Sequence, residues 1–264
     1  MRILSWNVNG LRALAKKNAL AWLETESPDI LCMQEIRINE DQIPEYLVQP
    51  HSTSGIAYHS YWASAERPGY AGVGIYTIPE PIAVQRLGIA DFDQEGRFLQ
   101  ADFPDFSVIS AYFPHVREER VRLEYKLDFC SAIRNRCDGI RAGSRSVILC
   151  GDFNIAHTAI DLARPEDNKD NPGYLPEERA WMDDFLGAGY VDSFRYLHPG
   201  EIGRYSWFSY RADARKRNIG WRIDYICVDE PAASSLISAG IRNDRTGSDH
   251  DPVEITIDPE RLSR

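Results

Sequence analysis

Nowhere in the 264 residues is there a run of about eighteen apolar positions, which excludes a helix spanning a membrane. The opening segment, MRILSWNVNG, turns polar too soon to read as a secretory leader, so the expected location is the cytoplasm, beside the nucleoid if the source is prokaryotic. Cysteine is scarce and its count is odd. Cys32, Cys130, Cys137, Cys150 and Cys227 form no CxxC pair, and Cys32, Cys150 and Cys227 lie inside apolar runs, as free buried thiols do in a reducing compartment. There is no Cys/His cluster for zinc, no GxGxxG behind a strand, no Walker loop and no GxSxG, and the GVG at 72–74 is only a strand glycine pair. Repeats of fixed period, low-complexity tracts and linkers are also missing. Basic residues are in deficit, 30 against 40 acidic ones, for a net charge of −10. Taken over the whole chain, that balance counts against a nucleic-acid partner.

The remaining composition, 43% apolar and 27% charged, is that of a globular protein long enough to bury a core without disulfides or metals. Short β-branched runs at 2–7, 29–34, 72–78, 81–86, 98–103, 106–112, 146–152, 222–228 and 252–257 read as strands. Amphipathic spacing predicts helices over 11–26, 118–137 and 177–188, with Pro176 just ahead of the third. The order mixes βαβ units with runs of strands, which a layered α/β sandwich accommodates. The Pro/Gly/Asn-rich stretch 164–176 reads as a long surface loop, and loops of that length inside compact domains are often functional. Residues 1–258 are expected to form one catalytic domain, and 259–264 a short C-terminal tail.

Chemistry-bearing residues collect where strands end. The first strand finishes in Ser5-Trp6-Asn7, the second in Gln34-Glu35, the 106–112 strand in Tyr112, and the 146–152 strand in Asp152-Phe153-Asn154. Asp224 takes an alternating position in 222–228, and Ser248-Asp249-His250-Asp251 precedes the last strand. Each alone reads as an ordinary cap, turn or rim aromatic. Together they converge on one sheet edge, where α/β proteins build sites. Their oxygen-rich inventory suits Mg²⁺ or Mn²⁺.

SWNVNGLRA (5–13), PDILCMQEI (28–36), GDFNIAH (151–157), IDLARP (160–165), LPEERAW, NIGWRIDY (218–225) and GSDHDP (247–252) closely resemble the exonuclease III / apurinic-apyrimidinic endonuclease family, in order from residue 2 to about 257. GDFN and SDH run through the wider superfamily of metal-dependent endonucleases, exonucleases and phosphatases, whereas NIGWRIDY, IDLARP and LPEERAW mark its DNA-repair branch. The resemblance implies a four-layer α/β sandwich of two packed mixed β-sheets flanked by helices. It implies that Glu35 and Asp249 hold the divalent ion with Asn7 nearby. Asp152 and Asn154 would then orient or deprotonate the attacking water and take part in binding a second or migrating ion. His250 would face the scissile phosphate, oriented by Asp224, and Tyr112 would contact the phosphate or assist the leaving group. Such a group of residues serves in-line phosphodiester hydrolysis.

Two positions depart from the family. His115 stands where an asparagine commonly contacts the phosphate, and an adjacent phosphate is expected to hold its imidazole charged. Asn9 stands where some relatives have aspartate, which counts against a tight second metal site.

The segment 204–222 restores DNA as a partner, with six basic residues (Arg204, Arg211, Arg215, Lys216, Arg217, Arg222) against Asp213, interleaved with Tyr205, Trp207, Phe208, Tyr210 and Trp221. By resemblance, Trp207 and Trp221 would wall the pocket for a flipped abasic sugar, with Arg211 and Arg222 on the DNA and Arg67, Tyr70 and Arg97 as further contacts. The expected activity is Mg²⁺-dependent cleavage 5′ to abasic sites in damaged duplex DNA, accompanied by 3′–5′ exonuclease and 3′-phosphodiesterase activities. No membrane or obligate protein partner is implied. One rival is a superfamily phosphatase on a non-DNA substrate, which would need lipid- or inositol-binding features. The other is a DNA-binding protein with weak or lost catalysis, which would be expected to lack one of Glu35, Asp152, Asp249 or His250.

Overall fold

The computed structural model describes residues 1–262, and within them strands from both ends of the chain pair with each other. Strand β1 (Arg2–Asn7) lies parallel to β2 (Ile30–Gln34), and its other edge pairs antiparallel with β12 (Val253–Ile257), Arg2 opposite Thr256. The first sheet also contains β3 (His59–Ala63), β4 (Val73–Thr77) and β11 (Leu236–Ile241), in the order β11-β12-β1-β2-β4-β3. The second comprises β5 (Ala83–Gln85), β6 (Phe98–Asp102), β7 (Phe106–Tyr112), β8 (Ser146–Asp152), β9 (Tyr190–Asp192) and β10 (Asp224–Asp229), in the order β5-β6-β7-β8-β10-β9. Each sheet has one parallel pair, β1–β2 or β7–β8, and is otherwise antiparallel.

Alternation along the strands builds the layers. Ile3, Cys32, Ile75, Val108, Ile148, Cys150 and Ile226 face inward and fill the space between the sheets. Their neighbours face outward. Ile109, Val147 and Leu149 pack under the helices Leu123–Ala142 and Pro176–Gly187, while Leu4, Trp6, Leu31 and Met33 pack under Leu11, Leu14, Leu23 and Leu47. This is the four-layer sandwich. All five cysteines are buried and free. No helix among the described residues is long and apolar enough to cross a membrane.

Several element boundaries differ from those read in the sequence. The helix expected over 11–26 is two short ones, Leu11–Lys16 and Trp22–Glu26, because Asn18 takes a left-handed backbone (φ 54°) that ends the first. The helix expected over 118–137 begins at Leu123 and runs to Ala142; Glu119 and Arg120 have φ of 56° and 57°, which keeps the preceding turn outside it. Strands β3, β9 and β11 were not anticipated. The expected tail is not loose: Pro259–Arg261 form a turn that folds Leu262, 2% exposed, into the core between the sheets, and 263–264 lie outside the described residues.

Candidate active site

Both parallel pairs end on the same side of the sandwich, and that register brings the polar strand ends together. Asn7 pairs with Gln34, so Glu35 follows directly; Tyr112 pairs with Asp152, and Asp224, at the start of antiparallel β10, pairs with Asp152 from the other side. A glycine is required at this point. A Cβ at Gly151 would stand 2.2 Å from the Ala111 carbonyl oxygen, so only glycine lets β8 bring Asp152 into place. The loop before β12 is pinned to β1 by the Ser248 hydroxyl, which donates to the Asn7 carbonyl (2.8 Å), and by the Trp6 indole N–H, which donates to the His250 carbonyl (2.9 Å).

The side chains interlock. Asn7 Nδ2 donates to Glu35 (2.9 Å) and to Asp152 (2.8 Å), while its Oδ1 accepts from the Asn9 backbone (3.0 Å). Asn7, expected as a ligand neighbour, thus presents its nitrogen to the carboxylates and positions them. Asn9 Nδ2 holds Asp249 at 2.7 Å, and the Trp207 indole N–H donates to the other Asp249 oxygen at 3.2 Å. Asp224 accepts from the Ser206 hydroxyl (2.6 Å) and from His250 Nδ1 (2.9 Å), which leaves His250 Nε2 facing Asp152 at 3.9 Å. Glu35 and Asn154 both have left-handed backbones (φ 56° and 51°), a local strain that accumulates at functional positions. In Asn154 the backbone N–H donates to Asp152 (2.8 Å) and Nδ2 to the Phe113 carbonyl (3.0 Å), so Oδ1 is the polar atom left for the cavity.

These contacts set the charges. Burial, then the negative charge of Asp224, raises the Asp152 carboxyl to about 7. Burial opposes charge on His250, but Asp224 and its hydrogen bond, then Asp152 and Asp249, outweigh it and hold the imidazolium up to about 10. Desolvation followed by Glu35 and Asp152 pushes the Tyr112 phenol well above its ordinary value, so it remains a donor.

Beside this cluster opens a cavity of about 280 Å³. It is lined by the acidic and basic groups of Glu35, Asp152, Asp249, His250 and Arg37, by Tyr112, His115, Asn154 and Asn9, and by Trp207, Trp221, Ile223, Pro172 and Gly173. The tryptophans meet edge to face at 6.4 Å and exchange backbone hydrogen bonds, N–H of each to C=O of the other (2.8 and 2.9 Å). The 164–176 loop therefore supplies a wall of the cavity.

The donor set fits a hard divalent ion. Glu35, Asp152 and Asp249 line one cavity and offer only oxygen. Among the described residues, the cluster of three ligand-type groups is Asp152, Asp224 and His250, whose atoms lie within 4.8 Å of one another. Its imidazole Nδ1 is already engaged by Asp224, which makes the two a hydrogen-bonded carboxylate–imidazole pair beside Asp152.

Some expectations do not survive the tertiary structure. Arg222 is 1% exposed and cannot reach DNA; its guanidinium pairs with Asp161 and Asp192 at 2.7 Å each. Arg97 is 2% exposed, paired with Glu95, and donates to the Tyr112 carbonyl (2.9 Å) and to the Tyr70 hydroxyl (3.0 Å), so both residues support the strand behind Tyr112 and neither lines the cavity. His115 is not held charged. Its Nδ1 accepts the Arg117 backbone N–H (2.9 Å), and desolvation followed by the Lys126 charge lowers its pKa. Arg211, by contrast, is exposed on the loop outside the cavity, where a phosphate could reach it. Arg37 was missed: it is the charged rim residue whose guanidinium clasps Glu35, and only its place two residues after Glu35 hinted at it.

The sequence and the fold both resemble those of known proteins. Residues 4–250 match the Endonuclease/Exonuclease/phosphatase family. A Bacillus subtilis (strain 168) protein named exodeoxyribonuclease is 42% identical over 259 residues, 97% of this chain and 99% of its own length. The Danio rerio DNA repair nuclease APEX1 is 41% identical over 260 residues, 97% of this chain and 82% of its own. The structure of an AP endonuclease from Archaeoglobus fulgidus superimposes with a TM-score of 0.84 at 28% identity, over 98% of this chain and 99% of that one. A Neisseria 3′ phosphatase, NExo, solved with a product DNA hairpin, does so with a TM-score of 0.84 at 27% identity over 98% and 99%. On the family match over residues 4–250 and on these identities over nearly the whole chain, the chain belongs to the Endonuclease/Exonuclease/phosphatase family, as an enzyme of the exonuclease III / apurinic-apyrimidinic endonuclease type.

Proposed function

We propose that the protein hydrolyses the phosphodiester bond 5′ to abasic sites in damaged duplex DNA, with Mg²⁺ or Mn²⁺ as cofactor, and leaves a 3′-hydroxyl. The same site would serve 3′–5′ exonuclease and 3′-phosphodiesterase reactions, a reading supported by the Neisseria relatives named as a 3′–5′ exonuclease and a 3′ phosphatase. The carrying observation is one cavity lined both by a buried carboxylate–imidazole cluster and by a pair of tryptophans with Ile223. Apolar walls accept a sugar that has no base, whereas the polar wall accepts a phosphate.

The chain's own groups divide the work. Asp152, with its carboxyl near neutrality, takes a proton from a water oriented by the Asn154 Oδ1. The His250 imidazolium, fixed by Asp224, offers Nε2 to the oxygens of the phosphate as negative charge builds on them. Tyr112, protonated, donates to the same phosphate or to the departing oxygen. A divalent ion held by Glu35, Asp249 and Asp152 would neutralise charge on the phosphate. The five free buried thiols support a cytoplasmic setting.

The test is a duplex with one tetrahydrofuran abasic analogue, incubated with Mg²⁺ and with EDTA. The expected result is a single incision 5′ to the analogue, with a 3′-end that a polymerase extends, only in Mg²⁺. Cleavage undiminished in EDTA, or none in Mg²⁺, would refute the proposal.

A further inference from the structure

Behind the floor of the cavity is a charged pair with no part in the chemistry above. Lys126, on the helix Leu123–Ala142, and Glu178, on Pro176–Gly187, are both 0% exposed, with Nζ and Oε1 2.6 Å apart. Burying two charges is costly, and two apolar side chains of similar volume generally join helices as stably. Helix packing by itself therefore does not account for the pair.

One of the pair's remaining hydrogen bonds caps the helix Pro176–Gly187, and the others run to the site. Lys126 Nζ donates to the Asn154 carbonyl at 2.7 Å, and no other donor among the described residues reaches that oxygen. Glu178 Oε2 accepts from the backbone N–H of Gly173 (2.7 Å) and of Leu175 (3.0 Å). Asn154 orients the water with its backbone held left-handed, and Gly173 is part of the pocket wall. The two are in close contact: a Cβ on Gly173 would stand 3.2 Å from both the Asn154 carbonyl oxygen and the Trp221 ring. The Ala156 N–H, just after the catalytic turn, also donates to the Gly173 carbonyl at 2.7 Å.

We propose that Lys126 and Glu178 are positioning residues. The pair clamps the Asn154 turn to the Gly173 wall, so that a sugar seated against the wall presents its phosphate in register with the oriented water. The inference rests on the reaction proposed above. Neither residue touches substrate; each acts through a backbone atom of a residue that lines the cavity.

The test compares Lys126→Met, Glu178→Gln and the double variant with the parent. Lys126→Met leaves Glu178 buried without its cation, and Glu178→Gln can satisfy only one side of the clamp at a time. The double variant removes the charge conflict, so its melting temperature recovers toward the parent's, but Asn154 still lacks a donor. In the double variant, kcat on the abasic duplex stays at least about tenfold below the parent's and KM changes by no more than about twofold, because surface contacts to DNA are untouched. The second readout needs no substrate: the Ala156 amide, which donates from the end of the Asn154 turn to the Gly173 carbonyl, exchanges its hydrogen at least about tenfold faster in Lys126→Met, while core amides such as Ile148 keep their protection. If Lys126→Met does not fold, exchange is read in the double variant.

Recovery of kcat together with melting temperature in the double variant would show a pair that only packs, and unchanged exchange at Ala156 would likewise overturn the clamp. A parent that does not cleave the abasic duplex would sink the proposed reaction and leave the exchange experiment to judge the clamp on its own.

Discussion

Replacing Asp152 with asparagine should stabilise the metal-free protein at pH 8 while destroying its activity. The carboxyl is 1% exposed, and burial followed by Asp224 raises it from an ordinary 3.8 to about 7. In the unfolded chain the group ionises near 3.8. Between that pH and 7 the folded protein keeps the proton that the unfolded chain has lost, so stability falls as pH rises through the interval. The difference of about three pH units corresponds to at most about 4 kcal/mol once pH exceeds 7. Asparagine does not titrate and escapes this loss. It gives up one good acceptor, since a single amide oxygen cannot serve both Asn7 Nδ2 and the Asn154 N–H, each 2.8 Å away, at a cost of about 1–3 kcal/mol. The variant should therefore be less stable than the parent at pH 4 and more stable, by about 1–3 kcal/mol, at pH 8. Urea denaturation in EDTA at the two pH values measures both differences. A variant equally destabilised at both would show that the carboxylate is not under electrostatic strain, and the assignment of Asp152 as a base poised near neutrality would fall with it.

Arg222→Met should remove the guanidinium from buried Asp192 and one of the two from Asp161, which keeps Arg195, and cost about 3–5 kcal/mol in denaturation, whereas Arg211→Ala should leave stability alone and lower the salt dependence of DNA binding by about 0.9 in slope. Equal effects of the two on DNA affinity would contradict the placement of Arg222. Because His115 is held neutral in the free protein, its ring proton resonances should titrate with a midpoint below 6.5, and His115→Asn should bind abasic duplex with the same ratio to the parent at pH 8 as at pH 7. A midpoint above that value would restore a charged contact. Trp221→Ala should weaken abasic-site binding by about 1–3 kcal/mol with no change in the salt slope, as filter binding in EDTA can measure; a changed slope would mean that the ring had been holding a phosphate contact in place.

The central strands were legible because burial on both faces demands continuous apolar runs, such as FSVISAY and SVILCGD, and their lengths and ends emerged nearly as read. The strands that escaped, β3, β9 and β11, all lie at sheet edges; β3 and β11 are half exposed and β9 has three residues, so no apolar run marks them. Strand ends carried the site in the same way. Polar residues closing an apolar strand are local features, and parallel pairing sets Asn7 beside Glu35 in one sheet and Tyr112 beside Asp152 in the other; packing of the two sheets then brings the pairs together, as the Asn7–Asp152 hydrogen bond shows. Sequence alone thus pointed to the candidate residues and to the strand ends that carry them. Only the tertiary structure decided what charge each would bear and whether it would face water or protein. Arg222 has the same formal charge as Arg211, but two distant carboxylates draw it inside. Burial and a nearby ammonium disfavour the charged form of His115, whose Nδ1 accepts a backbone N–H, and Lys126 finds Glu178 and a carbonyl across 52 and 28 residues of chain. Charge and side-chain type are written one residue at a time, whereas solvation and partnership belong to the volume in which separate segments meet.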